Sequence, residues 1–147
     1  MRAIVGKWLL VVMVLLVLAG CGKAPDAERL RAQVAQMQEG VTARSPDQVV
    51  QWLSEDFTGN AGMDRKGVER LLRLQLLRHA RVGLVVGPLD VRVDGDHAQV
   101  DFTVAMAGSS SGYLPETGRV HAVSTHWRRR GNDWELYRAR WGDGQGH

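Results

Sequence analysis

Cysteine is nearly missing from this chain: there is one, Cys21, in 147 residues. No intramolecular disulfide can form, so packing alone must hold the fold, whatever the redox state around it. An excess of charge of either sign is missing too. The formal net charge of +3 rests partly on Arg2 and Lys7; without them the 19 basic residues fall to 17 against 16 acidic ones, a net of +1. That is no electrostatic footprint for nucleic acid. The apolar stretch Trp8 to Ala19 falls short of the ~20 residues that a membrane-spanning helix needs. Neither an internal repeat nor the strand-helix alternation of a parallel sheet is found. What remains is a chain 44% apolar and 24% charged, the composition of a folded protein with room for one domain.

The N-terminal residues have the order of a secretory signal peptide: positive Arg2 and Lys7, the apolar run, then the small residues Ala19 and Gly20 before Cys21. The segment Gly22 to Glu28 is polar and contains Pro25, with no basic stop-transfer cluster, so a transmembrane anchor is the weaker reading. Leu18-Ala19-Gly20-Cys21 resembles the lipobox of bacterial lipoproteins, in which a signal peptidase cuts between Gly20 and Cys21. The resemblance implies a diacylglyceryl thioether on Cys21 and an acylated amino terminus, with palmitate among the acyl chains. At ~0.8 kcal/mol per buried methylene, several chains hold a protein firmly to a membrane. Gly22, not aspartate, follows the cysteine, which by the sorting pattern of enteric bacteria implies the periplasmic face of the cell outer membrane rather than the inner membrane.

The expected organisation is a signal peptide over 1–20, a lipid-anchored tether over 21–27, one domain over 28–142 and a tail over 143–147. Leu30, Val34, Met37 and Val41 place an apolar stripe on one helix over Asp26 to Glu39. Ser45, Pro46 and Gln48 form a capping-box pattern that starts a second helix, whose Val49, Trp52, Leu53 and Phe57 point inward until Thr58 to Gly62 breaks it. A third helix from Asp64 carries Val68, Leu71, Leu72, Leu74, Leu76 and Leu77, an apolar face broad enough for a core helix.

From Val82 the period changes to two. Leu89 to Val93 and Ala98 to Met106 read as antiparallel strands joined at Asp94-Gly95, and Val120 to Arg130 and Trp134 to Trp141 as a second hairpin around Gly131-Asn132-Asp133. Helices first and antiparallel strands afterwards predict an α+β fold, three N-terminal helices packed on a curved antiparallel sheet of about four strands. Trp127, Trp134, Tyr137 and Trp141 fall on both parities of the last two strands, which predicts a sheet that is apolar on both faces near this edge.

The element order, with Trp52-Leu53-Ser54-Glu55-Asp56-Phe57 early and Trp127 followed by Asp133-Trp134-Glu135-Leu136 late, resembles the nuclear transport factor 2-like superfamily, the ketosteroid isomerase-like and SnoaL-like proteins among them. The resemblance covers nearly all of the chain after the leader. It implies a cone in which helices and a concave sheet enclose a pocket, with homodimerisation through the convex sheet common. Members include isomerases, cyclases and dehydratases as well as non-catalytic partners, so the fold does not choose a function.

Catalytic members place an acid, histidine or tyrosine in the cone. The polar residues on offer are Asp101, Tyr113, His121, His126 and Tyr137, with His126, Tyr137 and Asp101 as the catalytic candidates. Alternation with Val100 and Phe102 points Asp101 away from the core. His121 and His126 are five apart, on opposite faces of a regular strand, and cannot share one metal ion. Gly108-Ser109-Ser110-Ser111-Gly112 matches G-x-S-x-G, but no helix follows, so it reads as a loop. Asp90, Asp94 and Asp96 lack the spacing of a calcium loop. Arg128, Arg129 and Arg130 solubilise a hairpin tip or touch phosphates. No metal site and no cofactor is expected.

Three readings follow. The first is a non-catalytic binding or scaffolding module, anchored to the membrane through Cys21, whose partner is a small apolar ligand, an envelope protein or a second copy. The second is an isomerase, cyclase or dehydratase using one cone-facing base on a small hydrophobic substrate. The third is a part in envelope assembly or stress response. Nucleic acid is not among the partners.

Overall fold

Proline in a first turn gives up no hydrogen bond, and an acidic residue there complements the helix dipole; Pro25 and Asp26 provide both at the start of helix α1 (Ala24–Thr42). The computed structural model describes residues 5–11, 24–79, 81–109 and 119–143. Residues 24–27, expected in the tether, are therefore the first turn of a helix. Leu30 and Val34 are buried on its inner face, and Met37 packs beside them. The helix ends where Arg44 adopts a left-handed φ of 59°. Residues 5–11 are helical and exposed, and among the described residues no helix is long and apolar enough to cross a membrane.

Helix α2 (Pro46–Val50) is a single turn with proline in its first turn. Ser45 is the N-cap by position, but its side chain makes no capping bond, so the expected capping box is not formed. The helix also stops earlier than expected. Leu53–Thr58 is strand β1, with Leu53, Ser54 and Phe57 buried and Glu55 and Asp56 exposed. An interval of four, as from Leu53 to Phe57, returns to the same face of a strand as well as of a helix, so periodicity alone could not separate the two. After a 3-10 turn (Asn60–Gly62), helix α3 (Arg65–Arg78) starts at Asp64, whose carboxylate accepts the Gly67 N–H at 2.7 Å.

The remaining strands are β2 (Arg81–Val86), β3 (Asp90–Asp94), β4 (His97–Ser109), β5 (Arg119–Arg130) and β6 (Asp133–Asp143). The sheet order is β1-β6-β5-β4-β2, with β3 also on β4. β2 and β3 lie end to end along one edge of the long β4, pairing with its second and first halves, while β5 covers the other edge. Six strands replace the expected four or so; β1 and β2 are the additions, and β1 runs parallel to β6. The α+β architecture of helices on a sheet stands.

One irregularity sets the faces of this sheet. His126 pairs with Arg138 and Trp127 with Leu136, so Tyr137 is the extra residue of a β-bulge. Side-chain parity on β6 reverses there. Trp134 and Leu136 before the bulge and Ala139 and Trp141 after it all lie on the helix side, with Trp127, Ala98 and Val100 of the neighbouring strands. Near this edge the sheet is therefore not apolar on both faces: the inner face takes the tryptophans, and the outer face carries Glu135, Arg138 and Arg140 around Tyr137, with the exposed Val85 and Val120 farther along it.

α3 also departs from expectation. Leu76 is buried, but Leu71, Leu74 and Leu77 are 36%, 43% and 84% exposed, so this helix packs on one side only. Removing a fully buried aromatic side chain typically costs ~3–5 kcal/mol, whereas trimming an exposed one changes stability by no more than ~0.5 kcal/mol. Trp127→Ala should fall in the first class and Leu77→Ala in the second when urea unfolding is followed by circular dichroism. A Leu77→Ala loss as large as that of Trp127→Ala would mean that α3 is packed on both sides.

Candidate functional site: the outer face of the sheet

Alternation along β3, β4 and β5 and the reversed parity of β6 sort the outer face into rows. Asp94, His97, Arg128 and Glu135 form one row; Arg92, Gln99, His126 and Arg138 the next; Asp90, Asp101, Ser124 and Arg140 the third. The inner face is closed beneath α1. Trp127 and Trp134 are each 1% exposed, and the Trp127 indole N–H donates to Thr125 Oγ1 at 2.8 Å, which donates to the Val100 carbonyl at 2.7 Å. Gln33, buried on α1, donates to the Trp134 carbonyl and accepts its N–H, doing for that residue what a further strand would.

The arginine run of β5 does something more specific than solubilising a hairpin tip. Arg128 points outward. Its guanidinium grips both oxygens of Asp56 on β1, at 3.0 and 2.6 Å, donates to Glu135 at 2.5 Å, and lies 5.5 Å over the Tyr137 ring. Arg129 points the other way, holding both oxygens of Asp26 in the first turn of α1 at 3.1 and 3.0 Å while stacking 4.6 Å over Trp134. It also reaches Asp96 in the β3–β4 turn. These fork geometries are the strongest form of arginine–carboxylate pairing. The hydrogen bonds from Arg128 hold the Asp56 carboxyl below the usual aspartate range, and those from Arg129 do the same to Asp26.

The three catalytic candidates all fall on this outer face. Asp101 and His126 line an open groove of about 970 Å³ together with Ser124, Arg138, Arg140 and Pro88. Tyr137 sits beside it at the bulge, its ring centroid 6.2 Å from those of His126 and His97. As alternation predicts, Asp101 points away from the core. Both of its oxygens accept the Gln99 amide, at 3.2 and 2.9 Å, and no hydrogen bond joins it to His126. His121 pairs with Val104 and His126 with Gln99, so the two histidines occupy opposite faces, the ring of His121 lying 3.2 Å from the Gly142 carbonyl. Among the described residues no three His, Cys, Asp or Glu side chains converge. Gly20, Cys21, Ser110 and Tyr113 lie outside the described residues.

Sequence reasoning missed Arg138 and Arg140, the groove's two guanidinium groups. A strict period of two carried through Tyr137 puts them on the buried side. The signal that could have placed them is the exchange of apolar positions from even, at Trp134 and Leu136, to odd, at Ala139 and Trp141.

No protein-family model matches the chain, and no curated protein is similar to it in sequence. Solved structures do match. A nuclear transport factor 2-like protein with a cystatin-like fold from Novosphingobium aromaticivorans is 19% identical, with a TM-score of 0.73 over 89% of this chain and 90% of that one. A candidate dehydratase of the same family from Streptomyces avermitilis is 18% identical, with a TM-score of 0.68 over 82% and 97%. A nuclear transport factor 2-like protein of unknown function from Pseudomonas putida is 14% identical, with a TM-score of 0.69 over 82% and 87%. At these identities the likeness establishes the fold alone, which is nuclear transport factor 2-like.

Lowered carboxyl pKa values fix the sign of a pH effect. Above the ordinary aspartate value of ~3.9 the contribution of Asp26 and Asp56 to stability is complete; it is lost as the pH falls through their lower folded values. An Asp26→Asn, Asp56→Asn double variant should have a lower urea midpoint at pH 7 than the parent and should lose less between pH 5 and pH 2.5. Equal losses for the two proteins would show that these pairs are not formed.

Proposed function

We propose that this chain is a lipid-anchored envelope lipoprotein whose domain binds a ligand or partner instead of catalysing a reaction, and that it binds on the outer sheet face. The observation carrying the reading is that the inner face is closed beneath α1. Trp127 and Trp134 fill the space beneath α1, where Thr125 and Gln33 have their hydrogen-bonding groups engaged and the Trp134 indole N–H is buried without a partner. An isomerase, cyclase or dehydratase of the kind the resemblance suggests needs a general base facing that space. Asp101, His126 and Tyr137 instead face the open groove side, and His121, the candidate on the inner face among the described residues, stands at the far end of β5 with its ring 3.2 Å from the Gly142 carbonyl.

The anchor reading is supported by the leader of charged, apolar and small residues ending at Cys21. It agrees with where the fold begins. α1 starts at Ala24, so only Gly22 and Lys23 separate it from Cys21, and at ~3.5 Å per residue the domain would be held within about 10 Å of the acyl attachment. Asp26, fastened to Arg129, ties that first turn to β5, so the end formed by α1 and the β3–β4 and β5–β6 turns would sit next to the membrane. Gly22 after the cysteine favours the periplasmic face of the outer membrane.

Radiolabelled palmitate fed to the native bacterium, followed by fractionation of the envelope, tests the anchor. The wild-type chain should carry label and appear in the outer-membrane fraction, and Cys21→Ser should carry none. A Cys21→Ser chain that keeps both label and fraction sinks the anchor reading.

A further inference from the structure

We infer that the outer groove is a site for a phosphomonoester, gripped by Arg138 and Arg140 with Ser124 and His126 beside them; this rests on the reading of the outer face as the binding surface. Six of the molecule's arginines are committed to carboxylates. Arg29, Arg73, Arg92, Arg128, Arg129 and Arg130 each form an ion pair. Arg138 and Arg140 form none among the described residues, yet they stand two apart on the same strand face, about 7 Å along β6. Cross-strand pairing sets His126 against Arg138 and Ser124 against Arg140. Two guanidinium groups, a hydroxyl and an imidazole thus occupy four adjoining positions of one polar surface, all lining the same groove.

The number of donors selects the anion. A carboxylate has two oxygens and is satisfied by one guanidinium fork, as Asp56 is by Arg128. A phosphoryl group offers three terminal oxygens and up to two charges, which matches two forks and a hydroxyl. Asp101 is the groove's acidic residue. Gln99 takes both of its oxygens, and it lies across Ser124 from Arg140, two strands away from that guanidinium. Pro88 and Ala122 extend the lining beyond the charged positions, and about 970 Å³ is more than a bare phosphate fills. The groove therefore has room for an organic body on the phosphate, either the glycerol of a soluble metabolite or the acylglycerol of a lipid headgroup.

Titration calorimetry of the full chain in dodecyl maltoside tests this with three probes: glycerol 3-phosphate, dihexanoyl phosphatidic acid and dihexanoyl phosphatidylcholine. At least one phosphomonoester should bind, and the zwitterionic lipid should not. If both phosphomonoesters bind equally, the site takes soluble phosphate esters; if only phosphatidic acid binds, it takes a lipid headgroup. An Arg138→Gln, Arg140→Gln double variant, with an unchanged thermal transition, should bind at least tenfold more weakly, and higher salt should weaken the parent but hardly the variant. No binding of either phosphomonoester, equal binding of phosphatidylcholine, or unchanged affinity of the double variant overturns the proposal. The readout does not depend on acylation, so a chain that binds but carries no palmitate would remove the anchor and leave the groove standing.

Discussion

A single extra residue in strand β6 decides what each side of this molecule does. Because Tyr137 has no opposite number on β5, the strand turns over between Leu136 and Ala139, and Trp134 and Trp141 come to share a face despite opposite parity. Without that turn, one of the two tryptophans would stand in water and Arg138 and Arg140 would point into the apolar space under α1. Burying two unpaired guanidinium groups there would cost far more than any packing could return. The bulge is thus the condition for both the closed inner face and the cationic outer one.

Two amide side chains and two arginines then fix the surrounding elements. Gln33 of α1 brackets the backbone of Trp134, and Asn60 of the 3-10 turn brackets that of Trp141, donating to its carbonyl and accepting its N–H. Each behaves as a one-residue strand, satisfying peptide groups that a bent sheet would otherwise leave without partners. Arg128 and Arg129, neighbours pointing to opposite faces, tie β1 to the outer surface and the first turn of α1 to the inner one. The start of the helix is therefore held by the sheet, and a force or anchor acting on the chain just before Ala24 would act on the whole domain.

Much of the fold was legible in the residues. The apolar stripe of the first helix, Asp64 before α3 and the Asp94-Gly95 turn are local signals with local causes, and they fall where the structure has helices and a turn, although α1 begins at Ala24, inside the expected tether. Failures came where tertiary structure overrides a pattern. Leu53 to Phe57 reads equally well as helix or strand until β6 is present to pair with it through Leu136. Leu71, Leu74 and Leu77 looked like core because a leucine-rich face cannot announce that half of it has nothing to pack against. For the site, the direction of Asp101 and the separation of His121 from His126 followed from alternation. Arg138 and Arg140 did not, because a bulge has no composition of its own and shows only as a change of parity among distant apolar residues.

The central claim is that β6 reverses at Tyr137, closing one face and opening the other. Thiol labelling tests it directly, since a Cys21→Ser chain contains no other cysteine. In that background Arg138→Cys and Ser124→Cys should react with a bulky maleimide within minutes in native buffer, and Ala139→Cys and Val100→Cys should react only after urea is added. If Ala139→Cys labels in native buffer as fast as Arg138→Cys, the strand does not turn over there, and the assignment of the two faces is wrong.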